Sequence, residues 1–241
     1  MKIFSKTDTG RVRTDNQDAF FAGRIADSAV FAVVCDGMGG ANAGNIASEI
    51  ASRRISEYII KSYRKRMDSD DLEKIIRNAI SSANIELYDM SVGDAALSGM
   101  GTTVVVALVK NDKAVIAHVG DSRVYIINET IKQLTRDHSV VQSLIESGKI
   151  TPEDAKVHPR KNIITRALGA EEKVAVDSSV IDISDGDTLL LCTDGLNNYL
   201  DDTDILSVFT ENDIADVPDR LVEMANNNGG GDNVTVVTLT K

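Results

Sequence analysis

Tryptophan does not occur in the 241 residues, and there are only five phenylalanines and five tyrosines. Aromatic platforms for stacking nucleobases are therefore unsupported. Positive charge is also scarce: 26 Lys and Arg stand against 37 Asp and Glu, for a formal net charge of -11. No broad electropositive field can draw in nucleic acid or anionic lipid, so any phosphate recognition has to be local. The two cysteines, Cys35 and Cys192, sit inside the apolar runs VFAVVC and TLLLC. They read as small buried hydrophobes rather than as a disulfide framework or thiolate metal site. No stretch nears the roughly 18 to 20 apolar residues that cross a bilayer, and the opening MKIFSKTDTGR has no apolar centre of a secretory signal. Together these shortages predict a cytoplasmic protein with neither a membrane nor a nucleic-acid partner. No low-complexity linker or fixed-period repeat interrupts the chain, so one domain over 1–241 is expected.

What the chain does have is a series of short apolar segments separated by acids and glycines. Alternation over 18–22 and the run 30–35 predict strands, the second stopping at Asp36-Gly37, with Gly37, Gly39 and Gly40 in a tight turn. Ile46, Ile50, Ile55 and Ile59 recur at helical spacing from a start near Asn42 or Asn45. Leu72, Ile76, Ile80, Ala83 and Leu87 mark a second helix, capped by Asp70 or Asp71. Strands over 102–109, 114–119 and 123–127 follow closely enough for an antiparallel meander, which 131–134 would extend. Thr151-Pro152-Glu153-Asp154 reads as a capped helix start, and the break in periodicity over 157–161 predicts a surface flap within 138–165. A strand at 188–192, helices around Leu206 and Leu221, and a last strand at 234–239 complete the pattern.

The chemical signal lies in where the aspartates fall. Asp36 and Asp194 each follow an apolar run and precede glycine, and Asp232 stands between a glycine turn and the last strand. Burying three carboxylates together without countercharge is costly, and divalent cations are the natural remedy. Glycine beside each acid lets backbone approach an ion and can expose a carbonyl to it. One Asp-Gly turn alone would be ordinary loop chemistry. The set VVCDGMGG, LLCTDGL and GGGDNVTVV is less ordinary, although by composition it fits a magnesium-binding structural protein as well as a metallophosphatase. Taken singly, Arg13 in GRVRTDN reads as solvent-facing, and His118 in AHVGD reads as packed or locally hydrogen-bonded. His138 and His158, near the flap, are given no chemistry. GMGGANAG lacks the Lys and Ser/Thr of a nucleotide P-loop, so ATP binding is not predicted.

The ordered motifs R-x-x-[NQ]-Q-D, DGMGG, SGMGTT, HVGDSR, LTRDHS, ITRALG, CTDGL and GGGDNVT span about 9–238. In this order the chain resembles the metal-dependent type 2C protein serine/threonine phosphatases, in their compact bacterial form. The resemblance implies an α+β fold, a four-layer αββα sandwich of two central, mostly antiparallel sheets with a binuclear metal site at one end. It implies two Mg2+ or Mn2+ ions, with Asp36 bridging both, the Gly37 carbonyl on one, Asp194 and Asp232 on the other, and Asp18 acting through a water. Asp121, assisted by Asp194, is the first candidate for a third, weaker ion. Arg13 would sit at the phosphate, where its planar donors suit two oxygens at once.

The implied reaction is hydrolysis of phosphoserine and phosphothreonine in proteins by a water activated between the cations. The implied partners are phosphoproteins and a cognate bacterial Ser/Thr kinase, the phosphatase itself being a monomer. One departure matters: some members carry a histidine after the bridging Asp-Gly pair, whereas this chain has Met38, which cannot donate a proton. A noncatalytic phosphoprotein-binding domain and a small-phosphoester hydrolase are the competing readings.

Overall fold

The computed structural model describes residues 1–26, 29–39 and 43–241. In chain order its first elements are β1 (Lys2–Asp8), β2 (Asp18–Ala26), β3 (Ala29–Met38), α1 (Ala43–Ser62) and α2 (Ser69–Gly93). There follow β4 (Gly101–Thr102), β5 (Val104–Lys110), β6 (Lys113–Val119), β7 (Arg123–Ile127), β8 (Ile131–Gln133), α3 (Val140–Glu146) and α4 (Pro152–Val157). The last are β9 (Asp177–Asp182), β10 (Thr188–Cys192), α5 (Asp194–Asn197), α6 (Asp202–Glu211), α7 (Val217–Asn227) and β11 (Val234–Thr240).

The strands form two sheets, ordered β1-β11-β10-β7-β8 and β2-β3-β5-β6-β9, with β4 extending the ladder at the end of β3. Each described strand pair is antiparallel. Successive side chains of a strand point to opposite faces, and in the central strands both faces are dry. Phe31, Val33 and Cys35 of β3 pack under α1 and α2, while Val30, Ala32 and Val34 pack against the other sheet. In β10, Leu189 and Leu191 face the inter-sheet layer, and Leu190 and Cys192 face α5, α6 and α7. Burial on both faces is why these strands appear as unbroken apolar runs. The result is the expected four-layer αββα sandwich, with Ala47, Ala51, Ile55 and Ile59 seating α1 on its sheet.

Several local expectations are corrected. Strand β3 does not stop at Asp36-Gly37 but continues to Met38, because Gly37 and Met38 pair with Thr102 and Gly101 after the apolar core has ended. The strand expected over 102–109 is broken at Thr103, whose N–H and hydroxyl bond to Asp36. Helix α2 is capped by Asp68, which accepts from the Asp71 N–H at 2.9 Å. Asp70 and Asp71 instead occupy its first turn, where negative charge suits the helix dipole. Strands β1 and β9 had no apolar run to announce them, since each is a half-exposed sheet edge. Thr151 and Asp154 form the expected reciprocal cap of α4. Gly40 and Asn42 lie outside the described residues.

Candidate metal centre and active site

Strand parity decides which side chains meet. Asp36 shares the inter-sheet side of β3 with Val34, and Asp18 is its register partner on β2. From the opposite sheet, Thr193 follows Leu191 by two positions and Thr235 precedes Val237 by two, which puts both on that same side. These residues converge where the inter-sheet layer ends. Asp194 begins α5 just beyond β10, Asp232 lies two residues before β11, and Asp121 lies on the link from β6 in one sheet to β7 in the other.

Thr193 Oγ1 and Thr235 Oγ1 both donate to Asp18 Oδ2, at 2.9 and 2.7 Å. The other oxygen, Asp18 Oδ1, is buried without a partner. Such an atom is costly unless something positive reaches it. Burial pushes the Asp18 carboxyl up to about 7, with Asp194 and Asp232 adding to the rise against the two threonine bonds. Burial also holds Asp36 well above the usual carboxylate range, reinforced by Asp18, Asp194, Asp121 and Asp232. Asp194 is raised to about 6 by burial and then Asp232, although Asn198 Nδ2 donates to its Oδ2 at 2.9 Å. Asp121 is raised to about 8 by burial, Asp194 and Asp137. The cluster is short of positive charge, and its all-oxygen donor set suits hard divalent cations such as Mg2+ or Mn2+. The residues therefore fit the ions that the resemblance implies.

The backbone is fixed as closely as the side chains. The Asp36 N–H donates to Thr103 Oγ1 at 3.0 Å, and its carbonyl accepts from the Thr103 N–H and Thr102 Oγ1 at 2.9 and 2.8 Å. Thr103 Oγ1 lies 2.7 Å from Ser122 Oγ, tying the Asp36 strand to the Asp121 link. Gly37 donates its N–H to Gln17 O at 3.0 Å, and a Cβ there would fall 2.2 Å from Gly44 O. No larger residue fits that crossing. Arg13 Nη2 reaches Asp232 Oδ2 at 3.0 Å from a side chain that is 53% exposed.

Arg13, Asp18, Asp36, Gly37, Asp121, Asp194 and Asp232 thus come together at one end of the sandwich. Thr193 and Thr235 were missed. Thr235 lies within β11 and Thr193 directly follows β10, and only the register of the strands puts both on the side that meets Asp18.

His118, His138 and Asp177 form a second group, with one potential ligand atom from each within 4.8 Å of the others. Hydrogen bonding decides what it is. His138 Nδ1 accepts from the Gly120 N–H at 3.1 Å, so its proton sits on Nε2, facing Asp177 Oδ2 at 3.2 Å. A protonated nitrogen has no lone pair for a metal. His118 Nε2 lies 2.8 Å from Arg136 O, and Arg166 Nη1 donates to Asp177 Oδ1 at 2.9 Å. This group is a hydrogen-bonded knot of two buried histidines and the half-exposed Asp177 at the start of the segment expected to be a flap.

A family model described as Protein phosphatase 2C matches residues 9–232. The chain is 40% identical over 238 residues to the serine/threonine phosphatase stp of Listeria monocytogenes, covering 98% of this chain and 94% of that protein. The crystal structure of serine/threonine phosphatase Stp1 from Staphylococcus aureus is similar with a TM-score of 0.94 at 38% identity, over 100% of this chain and 94% of that one. The catalytic domain of the serine threonine protein phosphatase PstP, crystallised in complex with 2 manganese ions, is similar with a TM-score of 0.85 at 31% identity, over 98% and 96% of the two chains.

Proposed function

The chain belongs to the protein phosphatase 2C family, and we propose that Asp36, Asp194 and Asp232, with Asp18 behind them, hold the divalent cations it uses. It is a metal-dependent serine/threonine protein phosphatase that dephosphorylates phosphoserine and phosphothreonine in proteins. In this reading Asp36, the Gly37 carbonyl, Asp194 and Asp232 would hold the two ions, Asp18 would contribute through a water, and Asp121 with Asp194 would offer a third, weaker position. The observation that carries the reading is the mutual crowding of half-buried carboxylates, with Asp18 Oδ1 buried and left unpartnered. Mg2+ and Mn2+ both suit the donors, and the two manganese ions of the PstP relative support the number.

When bound, the cations supply an acidified water and neutralise charge on phosphoryl oxygens. Arg13 stands at the exposed rim beside Asp232, where its guanidinium can take two phosphate oxygens and favours the charge that builds on them. Thr193 and Thr235 keep Asp18 oriented and ionised. Met38 offers no proton, and His118 and His138 are committed to other partners, so none of these three side chains serves as the acid for the leaving serine or threonine oxygen. Met38 also borders two grooves, of about 620 Å³ beside Tyr88 and Val92 and about 550 Å³ beside Arg166 and Lys173. Through Met38, two residues beyond Asp36, they lie next to the acid cluster and could take chain flanking a phosphorylated residue.

We read 1–241 as a single catalytic domain with a flap within 138–165, cytoplasmic and monomeric, acting against a bacterial Ser/Thr kinase. Among the described residues no helix is long and apolar enough to cross a membrane.

Phosphate release from phosphoserine, phosphothreonine and phosphotyrosine peptides and from a small aryl phosphate tests the reading. Mn2+ should support turnover of the first two, and Asp36→Asn should abolish it while remaining folded. Turnover that survives excess chelator would overturn the mechanism. Peptide binding without turnover would favour a binding module, and preference for the small ester would move the substrate class.

A further inference from the structure

Residues 9–17 join β1 to β2 and carry Arg13, yet this loop has no apolar anchor. Residues 11–15 are all exposed, and Val12, its one aliphatic side chain, is 69% exposed. Polar bonds therefore have to fix it. The side chain of Asn233, itself only 6% exposed, supplies three. Its Oδ1 accepts from the Gln17 N–H at 2.8 Å, and its Nδ2 donates to Thr9 O and to Asp15 O, both at 2.9 Å. One amide thus closes both ends of the loop and uses both of its donor hydrogens. The first end is also held by Gly10 N–H to Asp8 Oδ1 at 2.8 Å and Arg11 N–H to Gly230 O at 2.7 Å, and the second by Gly37 N–H to Gln17 O at 3.0 Å and Asn16 Nδ2 to Thr7 Oγ1 at 2.8 Å, but Asn233 is the side chain outside the loop that reaches both ends at once. Arg13 lies between the two ends and reaches Asp232, the residue before Asn233.

We infer that Asn233 is the positioning residue for Arg13, clamping the loop so that the guanidinium is held at the phosphate before substrate arrives. The inference rests on the phosphate role proposed for Arg13. Without the clamp the loop regains backbone freedom that binding must then remove, so the loss falls on substrate affinity. Asp18 follows Gln17, the Gly37 N–H bonds Gln17 O and Arg13 pairs with Asp232, so the loop borders the cation site and the kinetics are read at saturating Mn2+ to keep cation loss out of KM.

The test is a double-mutant cycle with a phosphothreonine peptide, using Asn233→Ala, since an aspartate would put a new carboxylate beside Asp232. Asn233→Ala should raise KM and the inhibition constant of inorganic phosphate on the order of tenfold. At saturating Mn2+ it should alter kcat by less than about threefold. Trypsin should cut after Arg11 and Arg13 faster than in the parent. In an Arg13→Ala background the same change should add less than about twofold, because the clamp then has nothing to hold. If the alanine variant does not fold, Asn233→Ser, too short to span Thr9 and Asp15, gives the same readings. An unchanged KM in Asn233→Ala, or full multiplication of the two effects, overturns the inference and leaves the Arg13 assignment standing. An Arg13→Ala variant with the parent's KM and phosphate inhibition overturns that assignment, and the inference with it.

Discussion

Chelated of divalent cations, the protein should lose stability as pH rises through neutrality. Asp194, Asp18 and Asp121 are raised from an ordinary 3.8 to about 6, about 7 and about 8. Between 3.8 and those values the folded chain binds more protons than the unfolded chain, so stability falls as pH rises through that span. For Asp18 alone, a rise from 3.8 to about 7 corresponds to about 4 kcal/mol. The acids share one field and their contributions do not add, so about 4 kcal/mol is the scale taken for the cluster. Between pH 5 and pH 8 about 3 kcal/mol of this is lost, and in a chain of this size 1 kcal/mol moves Tm by about 2–4 °C, which makes the expected fall roughly 5–10 °C. Thermal melts in chelator and in Mn2+, at matched ionic strength, would measure it. Mn2+ should protect far more at pH 8 than at pH 5, because it competes with protons for the same oxygens. Asp36→Asn separates this from general self-repulsion: in chelator its melting temperature should fall less with rising pH than the parent's, because one acid of the crowded set no longer ionises, while it gains little from Mn2+. A flat or rising melting curve in chelator across this window, or equal Mn2+ protection at both pH values, would refute the reasoning.

Thr193→Val removes one of the two donors to Asp18 Oδ2 and should weaken Mn2+ binding about tenfold by calorimetry. Thr238→Val, whose hydroxyl contacts only Phe4 O at 3.4 Å, should leave that affinity unchanged. Gly37→Ala places a methyl 2.2 Å from Gly44 O and should cost about 3 kcal/mol or more by denaturant melting, with activity lost. At Gly93 a Cβ meets nothing within 4 Å, so Gly93→Ala should be neutral or slightly stabilising. Parent-like stability and turnover in Gly37→Ala would show that the crossing at Gly44 is not fixed.

The parts of the fold that were legible are those with two dry faces. Strand β3 and strand β10 are written as apolar runs because each residue is buried on one side or the other. The acids that follow were legible for the same reason, since a carboxylate directly after such a run stands at the mouth of the core. Strand β1 was invisible because its residues alternate between exposed and half-buried, and its pairing with β11 joins opposite ends of the chain. Thr193 and Thr235 could be assigned only once the register was known, since their role depends on which face of β10 and β11 meets Asp18. Asn233 stood in the quoted GGGDNVT motif, but nothing local announces bonds to Thr9 and Asp15, more than two hundred positions away. Of the histidines, His138 needed coordinates most, because its tautomer is set by the Gly120 amide.

Anomalous scattering from Mn2+-loaded crystals addresses the central assignment most directly. The account predicts two peaks touching a shared Asp36 carboxylate, one of them also on Asp194 and Asp232, and neither at full height in Asp36→Asn. Peaks confined to His118, His138 and Asp177, or Mn2+ bound without contact to Asp36, would contradict it.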